Sequence, residues 1–158
     1  MANNKKNTKH EKYKKEEREF EQKLVDLSRV TRVTKGGKQL SFRATIVIGD
    51  QKSKVGFGIG KSADVSTAIS KAVKQAKKDM VTVPLKDETI SHAITMKAGA
   101  GKVMLKPANK GKGIKAGGAM RVVLELAGIP NVTGKILGSK NKINTLYATF
   151  EALKALKK

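Results

Sequence analysis

Lys54-Val55-Gly56-Phe57-Gly58-Ile59-Gly60-Lys61-Ser62 alternates apolar side chains with glycines. In a β-strand successive side chains point to opposite faces. Val55, Phe57 and Ile59 would therefore pack on one face, and the other face would carry no side chains at all. Such a face admits another backbone or a ligand at close range. The same stretch ends in Gly-Lys-Ser, as a phosphate-binding P-loop does between a strand and a helix. A P-loop needs four residues between its first Gly and the Gly-Lys pair, so that its amides can wrap the phosphates. Position 55, where that Gly belongs, is Val, and the loop from Gly56 is one residue short. A glycine-faced strand running into a capped helix accounts for every residue; nucleotide hydrolysis does not.

Upstream, Leu40, Phe42, Ala44, Ile46 and Ile48 recur at period two, which predicts a half-buried strand. Gly49-Asp50-Gln51-Lys52-Ser53 is the turn that follows it, and Gly36-Gly37, between Lys35 and Lys38, marks the turn before it. Leu24 to Thr34 is β-branched but alternates imperfectly, as a strand with a bulge or twist would. Downstream, Val65, Ala68, Ile69, Ala72, Val73, Ala76 and Met80 lie at helical spacing, with Lys71, Lys74, Lys77 and Lys78 on the flanks. Ser62 or Asp64 can cap that helix. Val81 to Leu85, with Pro84, reads as an exit and a linker. The first unit is thus β-β-β-α, with a helix on one sheet face.

A second unit begins near Asp87. Ile90, His92, Ile94 and Met96 share one face of a predicted strand, and Gly99-Ala100-Gly101 turns into another at Val103 to Lys106. A glycine–lysine loop runs from Asn109 to Gly118. Met120, Val123, Leu124 and Ala127 give a helix that Gly128 stops and Pro130 prevents from continuing. Val132 to Leu137 reads as a short strand. Asn141 can cap a last helix with Ile143, Leu146, Tyr147, Phe150 and Leu153 on its apolar side. The expected division is a basic, disordered tail over 1–20, a first domain over 21–84 and a second over 85–158.

Thirty-four Lys and Arg face thirteen Asp and Glu, a formal charge of +21 that repels itself unless a polyanion neutralises it. Nucleic acid is the usual polyanion, and an anionic membrane surface is the rival. From Arg29 to Lys61 the only acid is Asp50, and from Thr89 to Phe150 the only acid is Glu125. These one-sided stretches are the expected electrostatic footprint; the alternative is that the lysines only keep the chain soluble. There is no Cys, so disulfides and thiolate chemistry are excluded. His10 and His92 lack metal-ligand spacing, and no cofactor or metal site is expected. With neither a membrane span nor a secretory signal evident, a cytoplasmic location is the default. Aromatics are 4% of the chain, too few for the base-stacking platforms of single-strand binders, so backbone and shape recognition of folded RNA is expected.

Several segments in order resemble small-subunit ribosomal protein number five of bacteria and organelles. They are Val33-Thr34-Lys35-Gly36-Gly37-Lys38 with Phe42 and Ala44; Val47-Ile48-Gly49-Asp50; and Lys54 through Lys61. They continue with Gly111-Lys112-Gly113-Ile114, Gly117-Gly118-Ala119-Met120-Arg121, Leu124 through Gly128, and Gly138-Ser139-Lys140-Asn141. The resemblance spans roughly residues 20 to 155. It implies an α+β fold: a β-β-β-α domain similar to a double-stranded-RNA-binding domain, then a β-α-β-α sandwich with a left-handed crossover, against the usual handedness. It implies a structural constituent of the small subunit, near the messenger entry channel, that binds small-subunit (16S) ribosomal RNA, touches ribosomal proteins four and eight and influences decoding accuracy. No enzyme activity, membrane or small-molecule substrate is implied.

The expected RNA contacts in the first domain are Arg29, Arg32, Lys35, Gly36, Gly37, Lys38, Lys54, Gly56, Gly58 and Lys61. Those in the second are Lys102, Lys106, Lys110, Lys112 and Lys115. The resemblance places Thr31, Lys35 and Gly37 near the spectinomycin site and maps the interface with the fourth protein onto Gly113 and Arg121. A free double-stranded-RNA-binding protein or RNA chaperone is the alternative reading.

Overall fold

The computed structural model describes residues 20–157; the expected tail, with His10, lies outside the described residues except for Phe20. The first unit contains β1 (Glu21–Thr34), β2 (Gly37–Gly49), β3 (Lys54–Ser62), α1 (Val65–Lys78) and β4 (Met80–Thr82). The strands form one antiparallel sheet in the order β1-β2-β3-β4. The expected bulge is present: the β1–β2 register shifts between Leu24 and Asp26. The strand β4 corrects the reading of residues 81–85 as a bare exit. Met80, Val81 and Thr82 pair with Gly56, Val55 and Lys54 before Pro84 ends the pairing.

The glycine face of β3 is what brings α1 onto this sheet. A Cβ at Gly56, Gly58 or Gly60 would collide with the backbone carbonyl of Ala76, Ala72 or Ala68. These alanines are the buried stripe of α1, so small residues meet on both sides. Asp64 caps the helix by accepting a hydrogen bond from Thr67 N. Ile46 and Ile48, paired with Gly58 and Gly56, fill the rest of this layer against Ala72 and Ala76.

The second unit contains a small hairpin, β5 (Leu85–Lys86) and β6 (Thr89–Ile90), then β7 (Ile94–Ala98), β8 (Gly101–Pro107), β9 (Ile114–Lys115), α2 (Gly118–Leu126), β10 (Val132–Ile136) and α3 (Lys142–Lys154). Its main sheet has the order β7-β8-β10-β9. The strands β9 and β10 run parallel and are joined through α2, whereas β7, β8 and β10 pair antiparallel. Two expectations are corrected. The predicted strand through Ile90 and Met96 breaks at Ser91–Ala93, so Ile90 belongs to the hairpin and Ile94 to the main sheet. The glycine–lysine loop contains β9, which gains its place only by pairing with the distant β10.

Both later helices lie between the two sheets. Gly134 meets the Met120 sulfur of α2, and Gly101 meets the Asn144 carbonyl of α3. On the opposite side, Phe57 of β3 packs on Phe150 and Tyr147 of α3, with ring centroids 4.6 and 4.8 Å apart. One buried cluster therefore runs from Val47 and Val55 through Met120, Leu124, Leu146 and Phe150 to Val103, Leu105 and Val132. The layer order is α1, first sheet, α2 with α3, second sheet. The Asp50–Ser53 turn locks the stack: Gln51 N donates to Leu126 O at 3.0 Å, just where Gly128 (φ +72°) ends α2.

The close approach predicts a sharp contrast. Gly58→Ala would place a methyl 2.6 Å from Ala76 N and against Ala72 O, both backbone atoms. It should cost about 2–3 kcal/mol or more in urea unfolding. Gly36→Ala, with nothing within 4 Å of the added carbon, should stay within about 0.5 kcal/mol.

Candidate nucleic-acid interface

Past Ser62, which pairs with Phe42, β3 ends and only β1 and β2 continue. The remaining ribbon extends five residue pairs, from Val30–Ser41 to Thr34–Gly37, roughly 17 Å, with Arg29 at its base opposite Phe42. Thr34 pairs with Gly37, so Lys35 and Gly36 form the apex, one residue earlier than the glycine pair alone indicates. The register places Arg29, Thr31, Val33, Lys38 and Leu40 on one face and Arg32 and Gln39 on the other. Arg29 and every residue from Thr31 to Leu40 are exposed, including Val33 at 74% and Leu40 at 50%. The structure thus gathers Arg29, Thr31, Arg32, Lys35, Gly36, Gly37 and Lys38 on one projecting element.

The other residues of the first unit are dispersed. Lys54 and Lys61 are exposed near opposite ends of β3. Gly56 and Gly58 are corrected: both are buried beneath α1 and are not available to RNA. What approaches the glycine face is the protein's own helix. All of Gly56 to Ser62 lies in the strand paired with β2, so no loop is left to cradle a phosphate.

In the second unit, Lys110 and Lys112 project from an anchored turn. Two of its backbone amides are engaged within the protein: Lys112 N donates to Asn109 O, and Gly113 N donates to Asn131 Oδ1 at 3.1 Å. The lysine side chains of this turn carry its charge. Lys110 lies 3.9 Å from Glu88. Arg121 on α2 is bonded to Glu125 at 2.8 Å and keeps 58% of its side chain exposed.

Lys102 and Lys106 of β8 and Lys115 of β9 meet on the outer face of the second sheet. Alternation explains the placement: Val103, Leu105 and Val132 point inward to the helices, and their strand neighbours point outward. The same alternation adds two residues that charge runs alone did not single out. Lys97 of β7 pairs with Lys102, and Lys135 of β10 pairs with Met104. All five lysines are exposed. The strand register of β7 and β10 was the signal that could have found them.

The acids serve the fold. Lys23 bonds Glu125 at 3.1 Å and Lys142 bonds Asp26 at 2.9 Å, so each pair ties the first sheet to one of the central helices. Hydrogen bonds from Arg121 and Lys23 hold the Glu125 carboxyl below its usual range, and those from Lys142 and Ser28 do the same for Asp26. Burial pushes Asp50 up, but three backbone N–H groups, from Lys52, Lys54 and Ser53, outweigh it and lower its pKa.

A cleft of about 600 Å³ lies beside β3, lined by residues including Phe57, Met80, Tyr147 and Phe150. On its rim Gln75 bonds Asp79 and Lys154 bonds Glu151, with Lys78 beside them. Among the described residues no group of three or more His, Asp or Glu side chains is gathered as a metal site would require.

Two family descriptions match the chain: ribosomal protein S5, N-terminal domain, over residues 20–84, and ribosomal protein S5, C-terminal domain, over residues 96–158. The chain is also similar to the small ribosomal subunit protein uS5c of Emiliania huxleyi, at 51% identity over 140 residues and 88% of each chain.

The lowered carboxyls set a pH dependence. A depressed folded pKa adds stability above the unfolded carboxylate range, near pH 4, and that stability is lost as pH falls through the folded value. Unfolding free energy should therefore decline from about pH 4 downward. The double variant Asp26→Asn, Glu125→Gln should show a shallower decline over that window in urea titrations.

Proposed function

The chain belongs to the ribosomal protein S5 family, with a structural role in the small ribosomal subunit, and on that premise we propose that it binds 16S ribosomal RNA and supports decoding accuracy near the messenger entry channel. The observation that carries this reading is the projecting β1–β2 ribbon. It holds Arg29, Arg32, Lys35 and Lys38 with no carboxylate, and it stands beyond every other element of its sheet. Four cations on a narrow two-stranded element suit phosphate contact, where each neutralised phosphate releases counterions. Val33 and Leu40, exposed between these cations, give the ribbon an apolar surface that can enter a groove or a junction between RNA helices.

In this reading, Thr31, Lys35 and Gly37 approach the spectinomycin site. Lys54, Lys61, Lys102, Lys106, Lys110, Lys112 and Lys115 add phosphate contacts. Gly113 and Arg121 face small-subunit protein four, and protein eight is the other neighbour. Arg121 supports this assignment because its partner Glu125 is shared with Lys23, leaving the guanidinium half free for a second carboxylate. The cytoplasmic ribosome is the proposed location.

Charge reversal at the ribbon apex tests the proposal. Lys35→Glu with Lys38→Glu should leave the melting temperature near that of the unmodified protein, because both residues are exposed. In cells expressing both forms, the variant should be under-represented in small subunits, and misreading should rise. Equal incorporation with unchanged misreading would count decisively against the ribbon's role.

A further inference from the structure

We propose that the outer face of the second sheet is a separate docking surface for the phosphate backbone of double-helical RNA. This proposal rests on the RNA-binding reading above and assigns to it a surface, two further residues and a class of RNA.

The face is the open end of the layered stack. Both helices of the second unit pack on the inner side of its sheet, through the contacts at Gly101 and Gly134. Among the described residues no element covers the outer side. The registers lay its side chains out directly. Lys97 and Lys102 stand opposite each other at one end. Lys135 stands opposite Met104 in the middle. Lys106 and Lys115 both flank Thr133 at the other end, on the strands to either side of it. Five ammonium groups thus surround one methionine, and neither Asp nor Glu occurs in β7, β8, β9 or β10.

An ordinary solvated sheet face mixes both signs of charge. Here Lys97 and Lys102 are directly opposed, a pairing that weakens the sheet in isolation. Charge complementarity therefore calls for a polyanion spread over an area rather than a single carboxylate. Four strands about 4.8 Å apart and a seven-residue β8 give a plateau roughly 15 by 20 Å. No aromatic side chain projects from it, so bases have nothing on which to stack, as single-strand recognition would require. Lysines on a broad, shallow platform suit the regular phosphates of an A-form helix, which is read by shape and backbone contact.

The test uses the full chain with two probes, a 20-base-pair RNA duplex and a 20-nucleotide oligouridine strand, titrated over a range of salt. Lys97→Gln with Lys135→Gln should make the slope of log K against log salt shallower by about 2 for the duplex. It should weaken duplex binding at least fivefold at fixed salt and affect oligouridine less. Removing one member of the Lys97–Lys102 opposition should leave the melting temperature equal or higher, a result that misfolding cannot imitate. If this variant melts lower, Lys106→Gln with Lys115→Gln tests the same face from its other end, with the same expected loss.

An unchanged duplex slope would overturn the proposal. If Lys35→Gln with Lys38→Gln still reduced that slope, the RNA-binding reading would survive and an acidic protein would be the occupant of the face. If neither pair changed it, the RNA-binding reading would fall as well. Equal losses on the two probes would overturn the assignment to duplex.

Discussion

The absence of side chains on one face of β3 sets the distance at which α1 lies on the first sheet. Gly56, Gly58 and Gly60 meet the backbone of Ala76, Ala72 and Ala68 directly. The opposite face of the same strand carries Val55 and Phe57, which pack toward the central helices. One strand thus determines both neighbouring layers. With both faces of the first sheet covered in this way, the ribbon that outruns β3 and the far side of the second sheet stay free, as does the outer side of α1. The positions of the candidate RNA contacts follow from how the interior is filled.

Charge follows the same division. The two acids that interrupt the long basic stretches, Asp50 and Glu125, both have structural partners. Asp50 organises the turn that docks on α2, and Glu125 joins Lys23 to Arg121. Lys142 and Asp26 make a second tie between the first sheet and α3. Such half-exposed pairs contribute about 0–1 kcal/mol each, so their main effect is orientation. Spending the few carboxylates inside the fold leaves the ribbon and the outer sheet face positive. That arrangement is costly for an isolated globule and favourable against a polyanion.

Much of this was legible in the sequence wherever periodicity and caps act locally. The glycine alternation in β3, the bulge in β1, the Asp64 and Asn141 caps and the stop at Gly128 all appear as read. By contrast β2, read as half-buried, is buried on both faces from Ala44 to Gly49, because α1 covers one side and the central helices the other. Features that depend on distant partners were not legible. The strand β4 is three residues beside a proline, and β9 is two residues among glycines; both exist because a remote strand is there to receive them. Gly56 and Gly58 were read as open to a ligand because a glycine face fits a ligand and a helix equally well, and only the tertiary structure distinguishes them. Lys97 and Lys135 escaped notice because each is isolated in sequence; the sheet makes them neighbours of Lys102 and Met104.

The most direct measurement of the central claim is sedimentation of a cell lysate through sucrose gradients, with and without a salt wash, followed by quantification of this chain in each fraction. An integral RNA-bound component of the small subunit should travel with that subunit at close to one copy and resist moderate salt. Recovery at the top of the gradient, or complete release by moderate salt, would contradict the account and favour a protein that binds RNA away from the ribosome.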